Sequence, residues 1–158
     1  MSEGSGSSPQ WLDDEEMRFW RAWILSATLL DARLNRDLQD EHGLSHMDYG
    51  VLVVLSEQPD HRMRMSGLAD MLAMSKSRLS HQVSRLEKAG LVRRDGDASD
   101  GRGIFACLTP AGYERLSAAA PTHVSGVRRY VVDLLDSSER AQAADFLERV
   151  VAGLRECP

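Results

Sequence analysis

The chain of 158 residues has little cysteine, little aromatic content and no long apolar run. Its two cysteines, Cys107 and Cys157, are too few for a disulfide framework. A reducing, cytoplasmic setting is the expectation. No stretch approaches the ~18–20 apolar residues of a membrane span. The first ten residues, MSEGSGSSPQ, have neither a basic start nor an apolar core, so they read as a disordered lead-in, not a signal peptide. There is no phosphate-binding glycine loop, nucleophile elbow or paired-carboxylate signature, and no enzyme is expected. The five histidines lack metal spacing. Only His42 and His46 approach it, and Gly43 lies between them.

Basic charge is also scarce, with 19 Lys and Arg against 24 Asp and Glu, a net of −5. Taken whole, that argues against a nucleic-acid partner. The distribution reverses it. Residues 1–61 carry 4 Arg and 12 acids, residues 62–102 carry 9 basic residues and 5 acids, and residues 103–158 carry 6 Arg and 7 acids. A basic island inside an acidic chain localises an electrostatic footprint.

The pattern of elements is mainly helical. Met17, Trp20, Ile24, Ala27, Leu30 and Leu34 recur at helical spacing within one long helix, Trp11–Asp40, with Gly43 as its cap. Ser45 and Asp48 form a capping box for a second helix that stops before Pro59. His61–Met65 suits a short strand. Ser66 is a cap candidate for a third helix with Leu68, Ala69, Met71 and Leu72. Ser75 caps a fourth helix that runs to Lys88 and ends at Gly90. Leu91–Asp95 and Ile104–Leu108 are the strands of a hairpin. Thr109-Pro110 opens a further helix. Pro121 is expected to kink or divide it, with a continuation through Val127, Val131, Leu134 and Leu135. Ser137 or Ser138 caps the last helix.

The fourth helix carries the functional signal. At about 100° per residue, Leu79, Val83 and Leu86 share one face. Ser77, His81, Ser84 and Lys88 lie opposite, flanked by Arg78, Ser80 and Arg85. No acid interrupts that outer face, and Gln82 adds another donor. Such side chains can reach base edges and phosphates. Ser75, Lys76 and Ser77 open the helix, where free backbone N–H groups favour an anion. Arg93 and Arg94 follow as phosphate contacts. The hairpin tip surrounds one cation, Arg102, with Gly101 and Asp100 beside it. An arginine on a protruding loop can enter the narrow minor groove.

Two short helices followed by a hairpin make a winged helix-turn-helix. RLEKAGLVRR and the wing DASDGRGIFACLTPAG resemble the MarR family of bacterial transcription regulators. The resemblance covers about residues 17–154, and Asp100, Arg102, Leu108 and Thr109 are its most specific positions. It implies a homodimer on a pseudo-palindromic double-stranded DNA operator, commonly a repressor released by a small aromatic effector. The fourth helix would enter the major groove and Arg102 the minor groove. No cofactor is implied.

The expected fold is mainly α with a small β-hairpin wing. Residues 1–10 form the lead-in and residues 11–158 a single domain. Within it, 45–109 is the winged-helix lobe, and 11–44 and 110–158 are dimerisation helices. Trp11, Met17, Trp20, Phe146, Leu147, Val150, Val151 and Leu154 are the interface candidates, since a lobe of roughly 60 residues cannot cover them. Trp20, Trp23, His46 and Tyr49 are the candidate effector-binding residues. Two other readings stay open, a winged-helix module for protein–protein contact and a metal-responsive regulator.

Overall fold

A computed structural model describes residues 9–96 and 103–156. The wing tip, including Asp100, Gly101 and Arg102, lies outside the described residues, as do residues 1–8 and Cys157. The fold is a winged helix between long end helices. In chain order the elements are α1 (Asp14–His42), α2 (His46–Ser56), β1 (Arg62–Arg64), α3 (Met65–Met71), α4 (Lys76–Lys88), β2 (Val92–Gly96), β3 (Ile104–Leu108), α5 (Pro110–Tyr130) and α6 (Ser137–Glu156).

Local chemistry explains most boundaries. Asp13 accepts from the Glu16 backbone N–H at 2.8 Å, and Glu16 returns the bond to the Asp13 N–H at 2.9 Å. This capping box starts α1 at Asp14, so Trp11 precedes the helix instead of opening it. Gly43 ends α1 with φ of 65°, a left-handed conformation that glycine adopts without strain. Ser45 and Asp48 form the second capping box. Thr109 caps α5, with Pro110 in its first turn.

Several expectations are corrected. Ser66 does not cap α3, because the helix already begins at Met65 after Arg64. α5 is not divided at Pro121. Its flanks are tied to α1: Arg115 donates to the His42 carbonyl at 2.9 Å, and Thr122 donates to Glu41 at 2.7 Å. The helix stops at Tyr130, and Val132–Leu134 form a separate 3₁₀ turn. The cap of α6 is Asp136, which accepts from the N–H groups of Ser138 and Glu139 at 2.7 and 2.9 Å. Glu139 closes that box on the Asp136 N–H at 2.8 Å.

The strands form one antiparallel sheet, ordered β1-β3-β2. Arg64 pairs with Phe105, and Val92 with Leu108. The core lies inside the lobe. Leu52, Leu55, Leu68, Leu79, Val83 and Val92 are fully buried between α2, α3, α4 and the sheet. Gly112 lets α5 reach the sheet, since a Cβ there would lie 2.0 Å from the Leu91 carbonyl oxygen.

Candidate nucleic-acid interface

Helix α4 sits in the lobe by its apolar row. Leu79, Val83 and Leu86 are buried, and Ser75 caps the first turn by accepting from the Arg78 N–H at 3.2 Å. That fixes what the opposite side can show. Ser75, Lys76, Ser77, Arg78, Ser80, His81 and Lys88 are exposed. Lys76, Arg78, His81 and Lys88 make no side-chain hydrogen bond or ion pair among the described residues. Lys76 and Arg78 lie in the first turn, where free N–H groups add positive potential, while His81 lies mid-helix and Lys88 at the far end.

The remaining predicted contacts among the described residues are committed within the chain. Arg85 donates to Asp48 at 2.6 Å and to Ser45 at 2.9 Å. Gln82 donates to the other Asp48 oxygen at 2.6 Å. Arg94 donates to Glu87 at 2.9 Å, to the Ser80 carbonyl at 2.8 Å and to the Ser84 hydroxyl at 3.0 Å. It braces β2 against α4. Arg93 pairs with Asp95 two residues on. On and beside α4 the island thus separates into uncommitted cations, Lys76, Arg78 and Lys88, and two arginines, Arg85 and Arg94, that brace the helix.

The sequence reading passed over Arg62 and Arg64. Both guanidinium groups lie over the Phe105 ring, at 4.2 and 5.4 Å from its centre. They share the outer sheet face, while Met63 between them turns toward the core. The alternation R-M-R was the available signal. Asp48 was read only as a capping partner, and its contacts 34 and 37 residues away left no local trace.

The four candidate effector residues are not brought together, and Trp20 is exposed. His46 and Tyr49 meet His123 of α5, whose ring stacks on Tyr49 at 4.4 Å and on His46 at 5.4 Å. Burial, and then the neighbouring His46, push the His123 imidazole below its usual value. Burial raises the Tyr49 phenol. Trp23 instead meets Phe19 and Phe146. It also lines an apolar cavity of about 690 Å³ between α1, the end of α5 and α6, with Arg33 and Arg129 among the lining residues. Trp20, His46 and Tyr49 do not line it. Cys107 is buried, and burial with a hydrogen bond to Asp95 raises its thiol. No group of three possible metal ligands occurs among the described residues, and no described helix is long and apolar enough to cross a membrane.

Two helices joined by a short turn, with the second exposed beside a three-stranded wing, define a winged helix-turn-helix protein. Comparison with known proteins narrows this. A model of the MarR family matches residues 42–103. Sco3205 of Streptomyces coelicolor, a MarR family transcriptional regulator solved in complex with DNA, is 45% identical with a TM-score of 0.92, over 96% of this chain and 95% of that one. AbsC, a MarR family transcriptional regulator of the same organism, is 45% identical with a TM-score of 0.89, over 93% and 99%. The Escherichia coli transcriptional regulator HosA is 33% identical over 90 residues, 57% of this chain. That match spans 63% of HosA, less than two thirds of its length. The chain belongs to the MarR family of transcriptional regulators.

Proposed function

We propose that the protein binds double-stranded DNA as a cytoplasmic homodimer, at a pseudo-palindromic operator, and represses transcription there. The observation that carries the proposal is the outer face of α4, with Lys76, Ser77, Arg78 and His81 exposed opposite a wholly apolar, buried row. A protein-docking face would offer large apolar side chains at its centre. This one has none. The likeness to Sco3205, solved with DNA, supports the same reading. Arg102 is assigned to the minor groove by its place in the wing motif.

Dimerisation through the end helices accounts for apolar surface that this chain does not cover. Trp20, Leu147, Val151 and Leu154 are exposed, and α6 buries no residue. Met17, Phe146 and Val150 are half-buried along the same helices, and Trp11 stands 84% exposed before them. Two heads on such a frame would reach half-sites about one helical turn apart. A small aromatic effector belongs to the same proposal. The cavity beside Trp23 is apolar and carries two arginines suited to a carboxylate.

The test is titration of a duplex enriched by the wild-type chain from a randomised pool. Affinity should fall steeply with salt, and Arg78→Ala or Arg102→Ala should weaken binding. A salt-independent complex, or unchanged curves for both variants, would speak for protein docking instead.

A further inference from the structure

We infer that Asp48 is the positioning residue of the reading helix, with Arg85 and Gln82 as its grips and not as base readers. The inference rests on the DNA-binding reading above. Asp48 is the one buried polar or charged residue among the described residues, at 4% exposure. A buried carboxylate is costly unless every acceptor is occupied. Here both oxygens are. Oδ2 accepts from the Ser45 N–H at 2.9 Å, the Ser45 hydroxyl at 2.7 Å and Arg85 at 2.6 Å. Oδ1 accepts from Gln82 at 2.6 Å.

The arrangement joins three helices through one turn. Ser45 and Asp48 belong to the start of α2. On one side, that turn is fastened to α1: the His46 N–H donates to Asn35 at 2.9 Å, and the His46 ring meets Asp31 at 2.7 Å. On the other side, it holds α4 through two residues three apart, which share one side of the helix. Apolar packing of Leu79, Val83 and Leu86 tolerates small rotations of α4 about its axis. Two short, charge-assisted hydrogen bonds to a fixed carboxylate do not. A rotation of about 20° moves an atom at the ~5–6 Å outer radius by about 2 Å. That is enough to lose a hydrogen bond to a base edge. Asp48 therefore aims Ser77, Arg78 and His81 without touching DNA.

The test measures binding to two duplexes, one enriched by the wild-type chain from a randomised pool and one scrambled. Asp48→Asn keeps an oxygen for the Ser45 cap and removes the charge that holds Arg85. Its affinity for the enriched duplex should fall about tenfold, without a fall for the scrambled one. Arg85→Ala should cause the same loss, add nothing to Asp48→Asn, and leave the salt slope unchanged. Equal proportional losses on both duplexes would mean a general loss of folded protein and overturn the inference. So would a salt slope reduced by about one in Arg85→Ala, the signature of a phosphate contact. Amide hydrogen exchange of the DNA-free chain is the independent arm. Exchange along Lys76–Lys88 should quicken in Asp48→Asn, and unchanged exchange would refute the anchoring. If the wild-type chain enriches no duplex, the DNA reading fails and the aiming role falls with it. The exchange arm then still decides whether Asp48 anchors α4.

Discussion

The lobe between Ser45 and Thr109 hides most of its large apolar side chains, whereas the end helices display theirs. Leu52, Leu55, Leu68, Leu79 and Val83 are fully buried, and the sheet closes over them through Val92 and Ala106. Along α1, Phe19, Trp20, Ile24, Leu25 and Leu29 are exposed, and Leu154 of α6 is 70% exposed. Both regions are regular and well capped, so the difference is not in helix formation. It lies in whether the chain supplies the second surface for each apolar face. The lobe is complete within one chain. The frame is helical but leaves an apolar face without a cover, the condition that a second subunit would satisfy.

The largest expected effect lies at the centre of the lobe. Leu52→Ala should cost about 2–5 kcal/mol by chemical denaturation, through lost transfer energy and a residual cavity. Its counterpart in the frame is Leu154→Asp. That change should shift the stability of the dissociated chain by no more than about 0.5 kcal/mol, while sedimentation should show a weakened dimer. If Leu154→Asp unfolds the dissociated chain as strongly as Leu52→Ala, the contrast between the regions disappears.

The seam between the regions comes next. Gly112 lies where α5 crosses the end of the sheet. An added Cβ would meet the Leu91 carbonyl oxygen at 2.0 Å and Leu108 Cδ1 at 2.8 Å. The nearest obstacle is backbone and cannot swing aside. Gly112→Ala should therefore destabilise by about 1–3 kcal/mol, the range for overpacking. A neutral melting curve would mean that α5 can lift from the lobe at little cost, and that the two regions are less firmly joined.

The legibility of the sequence divides along the same line. Within the lobe, hydrophobic period and cap residues pointed to the same elements, because its contacts are local or follow from strand pairing. Ser75, Gly90 and Thr109 stand where their chemistry put them. The failures are of two kinds: caps misplaced by a residue or two, as at Ser66 and Ser137, and contacts between residues distant in sequence. Pro121 does not break α5, which is tied to α1 on both sides of it. Arg85 is exposed, as its place on the helix face predicts, but nothing in a local window reveals Asp48 as its partner or Glu87 as that of Arg94. The exposed polar face of α4 was legible from periodicity and charge. Its division into exposed donors and braced arginines required the fold.

A smaller effect should appear with pH, again at the seam. His123 of α5 is packed on Tyr49 and His46 of α2, and burial first, then His46, lower its pKa in the folded chain. The unfolded chain takes the proton nearer the ordinary value of 6.5. Below that pH the unfolded state binds more protons, so stability falls as pH drops from 6.5 toward the folded pKa. The denaturation midpoint should therefore be lower at about pH 5.5 than at about pH 7.5. His123→Phe keeps a ring against Tyr49 and should flatten this part of the slope. An unchanged slope would mean that His123 does not set the acid sensitivity.

The smallest expected effect tests how completely the lobe is built for its own chain. The turn between α3 and α4 passes through Ala73 at φ of 50°, in the left-handed region. Gly43 and Gly90 adopt similar values, 65° and 73°, at the ends of α1 and α4. Alanine in this conformation costs roughly 1–2 kcal/mol from its Cβ. Glycine avoids that cost but loses more backbone entropy on folding, by roughly 0.5–1 kcal/mol. The two terms nearly cancel, with a small balance in favour of glycine. Ala73 is exposed, so its methyl group contributes little packing to offset that balance. Ala73→Gly should stabilise the chain by less than about 1 kcal/mol, seen as a small rise in the denaturant midpoint with an unchanged slope. A clear fall in the midpoint would contradict the strain account, and would mean that restricting the unfolded turn matters more than relieving the folded one.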